Sequence, residues 1–274
     1  MSIGTKPAGG WLSQVTTKPK AKPAAIVLAG PPGVGKSSLA GNIPGALALP
    51  CGNEDTWELL KSTGAVPESL PVFPTPIQSW QHMLEVVNEL TTTDHGHKAH
   101  IVDTINVIEQ FRNQHVCDRD YAGNWGKDKG FEMFDQGPRA GMADWRQLLC
   151  AFDKMRVARD VRVILLAHIE VRPFRNPEGA DYDRYAVGLH KTTWALTHGW
   201  ADAVLFANYF TAVDVDEKTK RAKGKGGRER VLHTVYSPAY DAKNRFNLPE
   251  EIDMGDSGAE AWGNLAKAIV AGRK

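Results

Sequence analysis

Short apolar runs alternate along this chain with longer segments in which apolar residues recur every three or four positions. The runs have the length of buried strands, and the wider spacing places apolar side chains on one face of a helix. Strands that alternate with helices predict an α/β fold whose mostly parallel sheet is covered by helices on both faces. The strands are expected at residues 24–29, 46–49, 99–103, 161–167 and 202–207.

Other segments lie outside this alternation. Residues 169–190 are expected to form a long polar loop, and residues 211–236 a hairpin with a Lys- and Gly-rich tip. Ser257 and Glu260 have the spacing of a capping box, which would open a final helix through Val270. The expected division is a disordered basic tail at 1–22, a core domain at 23–250 and a C-terminal helix at 251–274.

Composition narrows the class of protein. The 274 residues carry a net charge of +1, so binding to nucleic acid would need a local basic patch. Three widely spaced cysteines predict neither a disulfide framework nor a zinc site, and they favour a reducing compartment. The chain has no apolar stretch long enough to span a membrane and no signal-peptide core. We therefore expect a cytoplasmic protein.

The run Gly-Pro-Pro-Gly-Val-Gly-Lys-Ser fits the phosphate-loop pattern G-x-x-x-x-G-K-[ST] and stands between a predicted strand and a predicted helix. Its glycines would let the backbone N–H groups surround an anion. Lys36 would reach the β- and γ-phosphates of ATP, and the Ser37 hydroxyl would hold Mg²⁺. The alternative is a Gly/Pro turn that merely precedes a lysine. The expected nucleotide contacts are Gly30, Pro31, Pro32, Gly33, Val34, Gly35, Lys36, Ser37 and Ser38.

Asp103 is the expected second magnesium residue. It ends an apolar strand, which we expect to be a parallel neighbour of the first strand, so that its carboxylate would face the metal. The alternative is an N-cap for the helix that follows, because Asp is favoured there. The next residue is Thr104, so a catalytic glutamate does not follow directly.

Two further strand ends carry candidate catalytic groups. Glu54 follows the second strand and is the candidate base that orients water, with Asp55 as its competitor. An acidic loop in solvent is the alternative. His168 ends the fourth strand and would sense the γ-phosphate, unless it only forms local hydrogen bonds. His100 is expected to point into the sheet, and His95 and His97 to lie in an Asp/Gly/Thr turn, so the three histidines are interpreted as part of a solvated loop rather than as a metal site.

From residues 23 to 250 the layout resembles the phage-encoded RecA-like ATP-binding proteins, a group that includes single-strand annealing recombinases. The matching pieces are the phosphate loop, Glu54, the strand ending at Asp103 and the strand ending at His168. The resemblance implies a RecA-like P-loop NTPase core with a β-hairpin extension.

Lys243-Asn244-Arg245-Phe246 resembles the Lys-Asn-Arg-Phe-Gly motif of RadA-type recombination ATPases, although Asn247 replaces the glycine. In such ATPases a lysine and an arginine of one subunit reach the nucleotide of the next. The resemblance implies that role for Lys243 and Arg245, and with it a homo-oligomer with a head-to-tail interface, as a ring or filament. An ordinary basic turn is the alternative.

The segment after His168 alternates arginines with aromatic residues, a mixture that suits single-stranded DNA because cations follow phosphates and rings stack on bases. RecA-like proteins place a DNA-binding loop here, which the resemblance extends to this chain. The alternatives are a catalytic lid and a structural loop. The candidate residues are Arg172, Phe174, Arg175, Tyr182, Arg184, Tyr185 and Lys191. A second basic group lies near the hairpin tip, where it would either add sequence-independent phosphate contacts or form a solvated turn, the commoner outcome for such a run. Its members are Lys218, Lys220, Arg221, Lys223, Lys225, Arg228 and Arg230.

These observations predict an ATP- and Mg²⁺-binding ATPase that acts on single-stranded DNA in phage recombination, annealing or replication, with a single-strand-binding or replication protein as a further partner. The alternatives are a small-molecule or nucleotide kinase and an ATP-switched adaptor of the helicase-loader type.

Overall fold

The structure, a computed structural model, describes residues 10–17, 22–53, 56–215 and 222–272. These residues form one sheet of nine strands with helices packed on both of its faces. The strands are β1 Ala25–Gly30, β2 Ala46–Pro50, β3 Ala99–Asp103, β4 Arg162–Phe174, β5 Tyr182–Val187, β6 Ala203–Val215, β7 Ala222–His233, β8 Lys243–Asn244 and β9 Glu251–Asp253.

Eight α-helices connect and flank these strands in the described residues. A 3-10 turn at Trp11–Gln14 precedes them, and another at Met133–Asp135 precedes the fifth. The helices are α1 Lys36–Gly41, α2 Trp57–Ser62, α3 Trp80–Thr92, α4 Ile105–Tyr121, α5 Gln136–Ala140, α6 Met142–Arg159, α7 Lys191–Trp200 and α8 Gly258–Gly272.

The sheet order is β2-β3-β4-β1-β6-β7-β9. The first five strands in this order, β2, β3, β4, β1 and β6, run parallel to one another. Strands β7 and β9 extend the sheet with antiparallel pairing, β5 pairs with β4, and β8 pairs with β6. This topology confirms the predicted α/β fold, with a mostly parallel sheet covered by helices on both faces.

Alternation along the central strands builds the two cores. Val27 and Ala29 of β1 face α3, α4 and α6, where Trp145 and Phe152 are fully buried. Ile26 and Leu28 face α1, α2 and α8. Because every central strand is buried on both faces, the strands are continuous apolar runs in the sequence.

The prediction that β3 is a neighbour of β1 is wrong. Strand β4 lies between them and pairs with both in parallel. Strand order in space is not the order in sequence, and the apolar run of β4 is the one that fills the centre of the sheet.

The prediction of a polar loop at residues 169–190 is also wrong, because most of this segment forms a β-hairpin. Strand β4 continues beyond His168 to Phe174 and pairs with β5 in antiparallel register. Val171 is exposed here while its neighbour Arg172 is half-buried, so burial does not follow hydrophobicity and the two-residue period of the strand does not show as apolar positions.

The second hairpin is longer than predicted. Strand β6 starts at Ala203 and continues without interruption to Val215, so the sequence strand at 202–207 and the first arm of the expected hairpin are a single strand. Lys218, Lys220 and Arg221 at the expected tip lie outside the described residues.

The serine half of the predicted capping box is present, and the Glu260 carboxylate accepts a hydrogen bond from the Asp256 N–H at 2.7 Å instead of from Ser257. Ser257 Oγ accepts a hydrogen bond from the Glu260 N–H at 3.1 Å, and α8 begins at Gly258. Ahead of it, strand β9 adds residues 251–253 to the sheet through β7.

The rings of His95, His97 and His100 form a cluster with centroid separations of 5.0 to 6.3 Å. His95 and His97 are half-buried in the loop before β3, and His100 lies on the strand as expected. His100 is fully buried on β3, with Nδ1 3.2 Å from Met155 Sδ of α6. No group of histidine, cysteine or acidic side chains in the described chain is arranged to hold a metal ion. Burial, with the neighbouring His95 and His97, lowers the pKa of His100 to about 3.

This burial predicts acid sensitivity. Unfolded chains bind a proton at His100 near pH 6.5, whereas the folded protein binds it only near pH 3. Stability should therefore fall as the pH is lowered through this window, by up to about 1.4 kcal/mol per pH unit. Denaturant unfolding at a series of pH values measures the slope.

His100→Gln should flatten that pH dependence, whatever its effect on stability at neutral pH. His115→Gln, on α4 outside the cluster, is the matched control and should keep the wild-type slope. Equal slopes for wild type and His100→Gln would contradict the assignment.

Candidate functional site

The parallel register aligns the carboxyl ends of four strands at one edge of the sheet. Pro50 of β2 pairs with Asp103 of β3, and Gly30 of β1 pairs with His168 of β4. Ligands of open α/β sheets bind outside such an edge. The phosphate loop, Asp103 and His168, which are far apart in the sequence, therefore come together at this edge.

The loop from β1 to α1 has the backbone of an anion cradle. Gly33 and Gly35 have φ angles of +78° and +100°, which side-chain-bearing residues rarely adopt. Val34 between them is fully buried and fixes the loop to the core. Gly30 lies so close to β6 that a Cβ there would overlap the Ala207 carbonyl oxygen.

Lys36 is only 6% exposed although it carries a charge. Its Nζ donates to the carbonyl oxygens of Gly30 and Pro31, each at 2.9 Å. These bonds hold the ammonium group over the start of the loop. A buried cation held by backbone carbonyls beside the loop amides is well suited to receive an anion.

Ser37 and Asp103 meet across the intervening strand. Ser37 Oγ donates to Asp103 Oδ2 at 3.2 Å, and Asp103 is 3% exposed. A hydroxyl and a carboxylate are hard oxygen ligands of the kind that Mg²⁺ prefers. The residue at the N-cap of α4 is Thr104, joined to Asp103 by a cis peptide bond, so the N-cap alternative for Asp103 is wrong.

Glu54 and Asp55 lie outside the described residues. The chain that leads to them is held next to the site, because the Cys51 N–H donates to the Asp103 carbonyl at 2.8 Å. Gly52 N–H donates to Ile77 O at 2.7 Å. The catalytic role of Glu54 stays a prediction.

His168 lies at the point where β4 leaves the parallel sheet and enters its hairpin. Its N–H donates to Asn106 Oδ1 at 2.8 Å, and Asn106 Nδ2 donates to Gly188 O at 2.8 Å. Asn106, which the sequence did not single out, thus connects α4 to both ends of the hairpin. An asparagine in a helical first turn carries no sequence signal for such a role.

Comparison with known proteins agrees with this geometry. A family model described as an AAA domain matches residues 22–246. The chain belongs to this AAA domain family. No curated protein matches it.

Two solved structures are similar to the AAA domain at low identity. One is the RadB recombinase, with 14% identity over 88% of this chain and 90% of that chain, and a TM-score of 0.47. The other is the flagellar accessory protein FlaH from Methanocaldococcus jannaschii, with 10% identity over 85% and 84% of the chains and a TM-score of 0.43.

Lys243 and Arg245 lie at the opposite edge of the AAA domain, because β8 pairs with Ala203 and Val204 at the start of β6. Lys243 Nζ donates to the carbonyl oxygens at the end of α7, at 2.6 and 3.1 Å. Arg245 is half exposed, and its Nη1 lies 3.5 Å from Asp202 Oδ1. Neither residue is near the phosphate loop of its own chain.

The β4–β5 hairpin carries most of the residues predicted to bind DNA. Arg172 and Arg184 are cross-strand partners on its half-buried side. Arg184 Nη2 donates to Asp241 Oδ1 at 2.6 Å, and Arg172 forms an ion pair with Glu170. Both cations are therefore paired with carboxylates of the same chain.

The aromatic members of that set are divided between the two sides. The rings of Phe174 and Tyr182 contact each other at a centroid distance of 5.1 Å and a tilt of 40°, whereas Tyr185 is exposed. Arg175 is exposed, and Lys191 is 66% exposed with an ion pair to Asp135 at 3.1 Å. Arg175 and Lys191 are therefore open to solvent, whereas the Tyr185 ring, although exposed on one side, also contacts Phe206 at a centroid distance of 5.4 Å.

Two side chains of the β6–β7 hairpin contact the phosphate loop and were missed by the sequence analysis. Tyr209 donates through its hydroxyl to Gly33 O at 3.0 Å. Arg230, one of the seven cations assigned to the hairpin, lies with Nη1 3.5 Å from Val34 O.

Within the described ranges, none of the helices has both the length and the apolar character that crossing a bilayer requires.

The close approach of β1 and β6 predicts that Gly30 accepts no side chain. In Gly30→Ala the new methyl group would meet backbone rather than a movable side chain, so unfolding should become easier by about 1–3 kcal/mol. Thermal unfolding measures the loss.

Gly96→Ala is the matched control, because nothing lies within 4 Å of a Cβ at that position. It should leave the unfolding temperature close to that of the wild type. An equally small effect of Gly30→Ala would contradict the packing described at the loop.

Proposed function

We propose that this chain binds ATP with Mg²⁺, hydrolyses ATP, and acts on single-stranded DNA in phage recombination, annealing or replication. The observation that carries the proposal is the contact of Ser37 with Asp103 beside the buried Lys36. Membership of the AAA domain family supports nucleotide binding at this loop.

Each residue has a distinct task in this proposal. Lys36 would offset negative charge on the β- and γ-phosphates, and the amides of the loop would bind their oxygens. Ser37 and Asp103 would hold Mg²⁺, which when bound neutralises charge that develops on the transferred phosphoryl group. Glu54 would orient the attacking water, and His168 would relay the presence of the γ-phosphate to the β4–β5 hairpin.

Single-stranded DNA is proposed to bind on the exposed side of that hairpin. Arg175 and Lys191 would contact phosphates and Tyr185 would stack on a base. Arg172 and Arg184 would contribute less, because their charges are already paired with Glu170 and Asp241. The remaining candidates, Phe174 and Tyr182, would support the hairpin from its half-buried side.

A head-to-tail homo-oligomer is proposed to complete the active site. Arg245 is exposed at the edge remote from its own loop, where a neighbouring subunit would bring its nucleotide. Lys243 would act beside it, although burial and the nearby Arg245 lower the pKa of its ammonium group. The free thiols Cys51, Cys117 and Cys150 support a cytoplasmic location.

ATP turnover with and without single-stranded DNA tests the proposal. The wild type should hydrolyse ATP only with Mg²⁺, and faster when DNA is present. Lys36→Ala should lose ATP binding and turnover, because it removes the cation that faces the phosphates. Phosphate release and equilibrium ATP binding are the measurements.

Lys61→Ala is the control, because it removes an equal charge from an ion pair with Glu58 on α2. It should behave as the wild type does. Unchanged ATP affinity in Lys36→Ala would overturn nucleotide binding at the loop. Turnover only with a small phosphate acceptor would instead indicate a kinase, and binding without turnover an adaptor.

Mixing two inactive variants tests the role of Arg245 in trans. Lys36→Ala protomers keep Arg245, and Arg245→Ala protomers keep the phosphate loop. In an equal random mixture about a quarter of the head-to-tail interfaces would combine the two intact parts. DNA-stimulated turnover should therefore return to about a quarter of the wild-type rate.

In the control mixture the Lys36→Ala protomers are replaced by the double variant Lys36→Ala, Arg245→Ala, so that no subunit supplies Arg245. That mixture should stay inactive. Arg245→Ala is preferred to a change at Lys243, because Lys243 also binds the end of α7. Wild-type turnover of Arg245→Ala alone would exclude the trans role.

A further inference from the structure

The two side chains of the β6–β7 hairpin that reach the phosphate loop are direct cross-strand partners. Tyr209 of β6 pairs with Arg230 of β7, and the register shifts just beyond them. Their side chains contact consecutive peptide groups of the loop, through the carbonyl oxygens of Gly33 and Val34. We call them the Tyr209–Arg230 pair.

Arg230 also connects the loop to the turn before α8. Its Nη2 donates to Gly255 O at 2.7 Å, and a Cβ on Gly35 would lie 2.5 Å from its Nη1. The guanidinium therefore occupies the space that the missing side chain of Gly35 leaves. Within the described part of the chain no carboxylate lies in ion-pair range of it, so its charge adds to the positive potential at the loop.

Peptide geometry gives these contacts a consequence on the other side of the loop. In a trans peptide the carbonyl oxygen and the N–H of the next residue point in opposite directions. A donor on Gly33 O therefore sets the direction of the Val34 N–H, and a donor near Val34 O sets that of the Gly35 N–H. Because Gly33 and Gly35 are glycines, few other constraints fix these peptide planes.

We infer that Tyr209 and Arg230 are positioning residues for the nucleotide, which hold two loop amides in their anion-binding orientation from the carbonyl side. The inference rests on the proposed function, since the amides are taken to bind phosphate. In this inference the β6–β7 hairpin, besides extending the sheet, fixes the conformation of the phosphate loop through the contacts at its base.

Loss of the Tyr209–Arg230 pair would have different consequences if the pair had a purely structural role. If the pair only fastened the hairpin to the domain, its loss would lower the stability of the whole sheet. If the pair positions the loop, its loss frees the amides of residues 33–37 and weakens nucleotide binding, while β1 and β4 keep their protection.

The test uses Tyr209→Phe, Arg230→Met and the double variant in the full-length protein. Amide hydrogen exchange is measured without added nucleotide, and MgATP and MgADP affinities are measured at equilibrium. Each single change should weaken MgATP binding by about threefold to tenfold, as the loss of one hydrogen bond does. Exchange should accelerate at residues 33–37 and not at β1 or β4.

Arg228→Met is the matched control, because it removes the same charge from an exposed position two residues away on β7. It should leave nucleotide affinity and loop exchange unchanged. An effect equal to that of Arg230→Met would reduce the role of Arg230 to general electrostatics and overturn the inference.

Lys36→Ala separates this inference from the proposed function. If Lys36→Ala abolishes MgATP binding while the Tyr209 and Arg230 variants bind as the wild type does, the inference fails and the proposed function stands. If Lys36→Ala binds MgATP normally, the proposed function fails. Faster exchange throughout the sheet in the Tyr209 and Arg230 variants would also overturn the positioning role.

Discussion

The hydrogen bond from Ser37 to Asp103 depends on the parallel register of three strands. Strand β4 lies between the strands that deliver these two residues, and its pairing with both sets how far each reaches at the carboxyl edge. A slip of one residue in either ladder would turn the carboxylate to the other face of the sheet. The site therefore depends on the apolar core that fixes this register.

Burial of charge at the same edge has a cost that the fold offsets with local polar contacts. Lys36 and Asp103 are almost inaccessible to solvent, and each has hydrogen-bond partners from the loop itself. Buried charges are unfavourable without such partners. A core built for stability alone would place apolar residues there, so the arrangement is typical of a binding site.

The two hairpins carry the features that differ most from a simple alternation of strands and helices. One continues β4 past His168 and carries the exposed residues Arg175 and Tyr185. The other places Tyr209 and Arg230 against the phosphate loop. Both are extensions of core strands that continue beyond the carboxyl edge of the parallel sheet.

The sequence by itself determined the phosphate loop, the five parallel strands and the serine half of the capping box of α8, because these depend on local spacing, glycine and buried apolar runs. It did not determine that β4 separates β1 from β3, nor that residues 169–174 continue a strand. It also placed Arg230 with the solvated cations rather than at the loop. Strand order, cross-strand partners and long side-chain contacts join residues far apart in the chain, so only tertiary packing decides them.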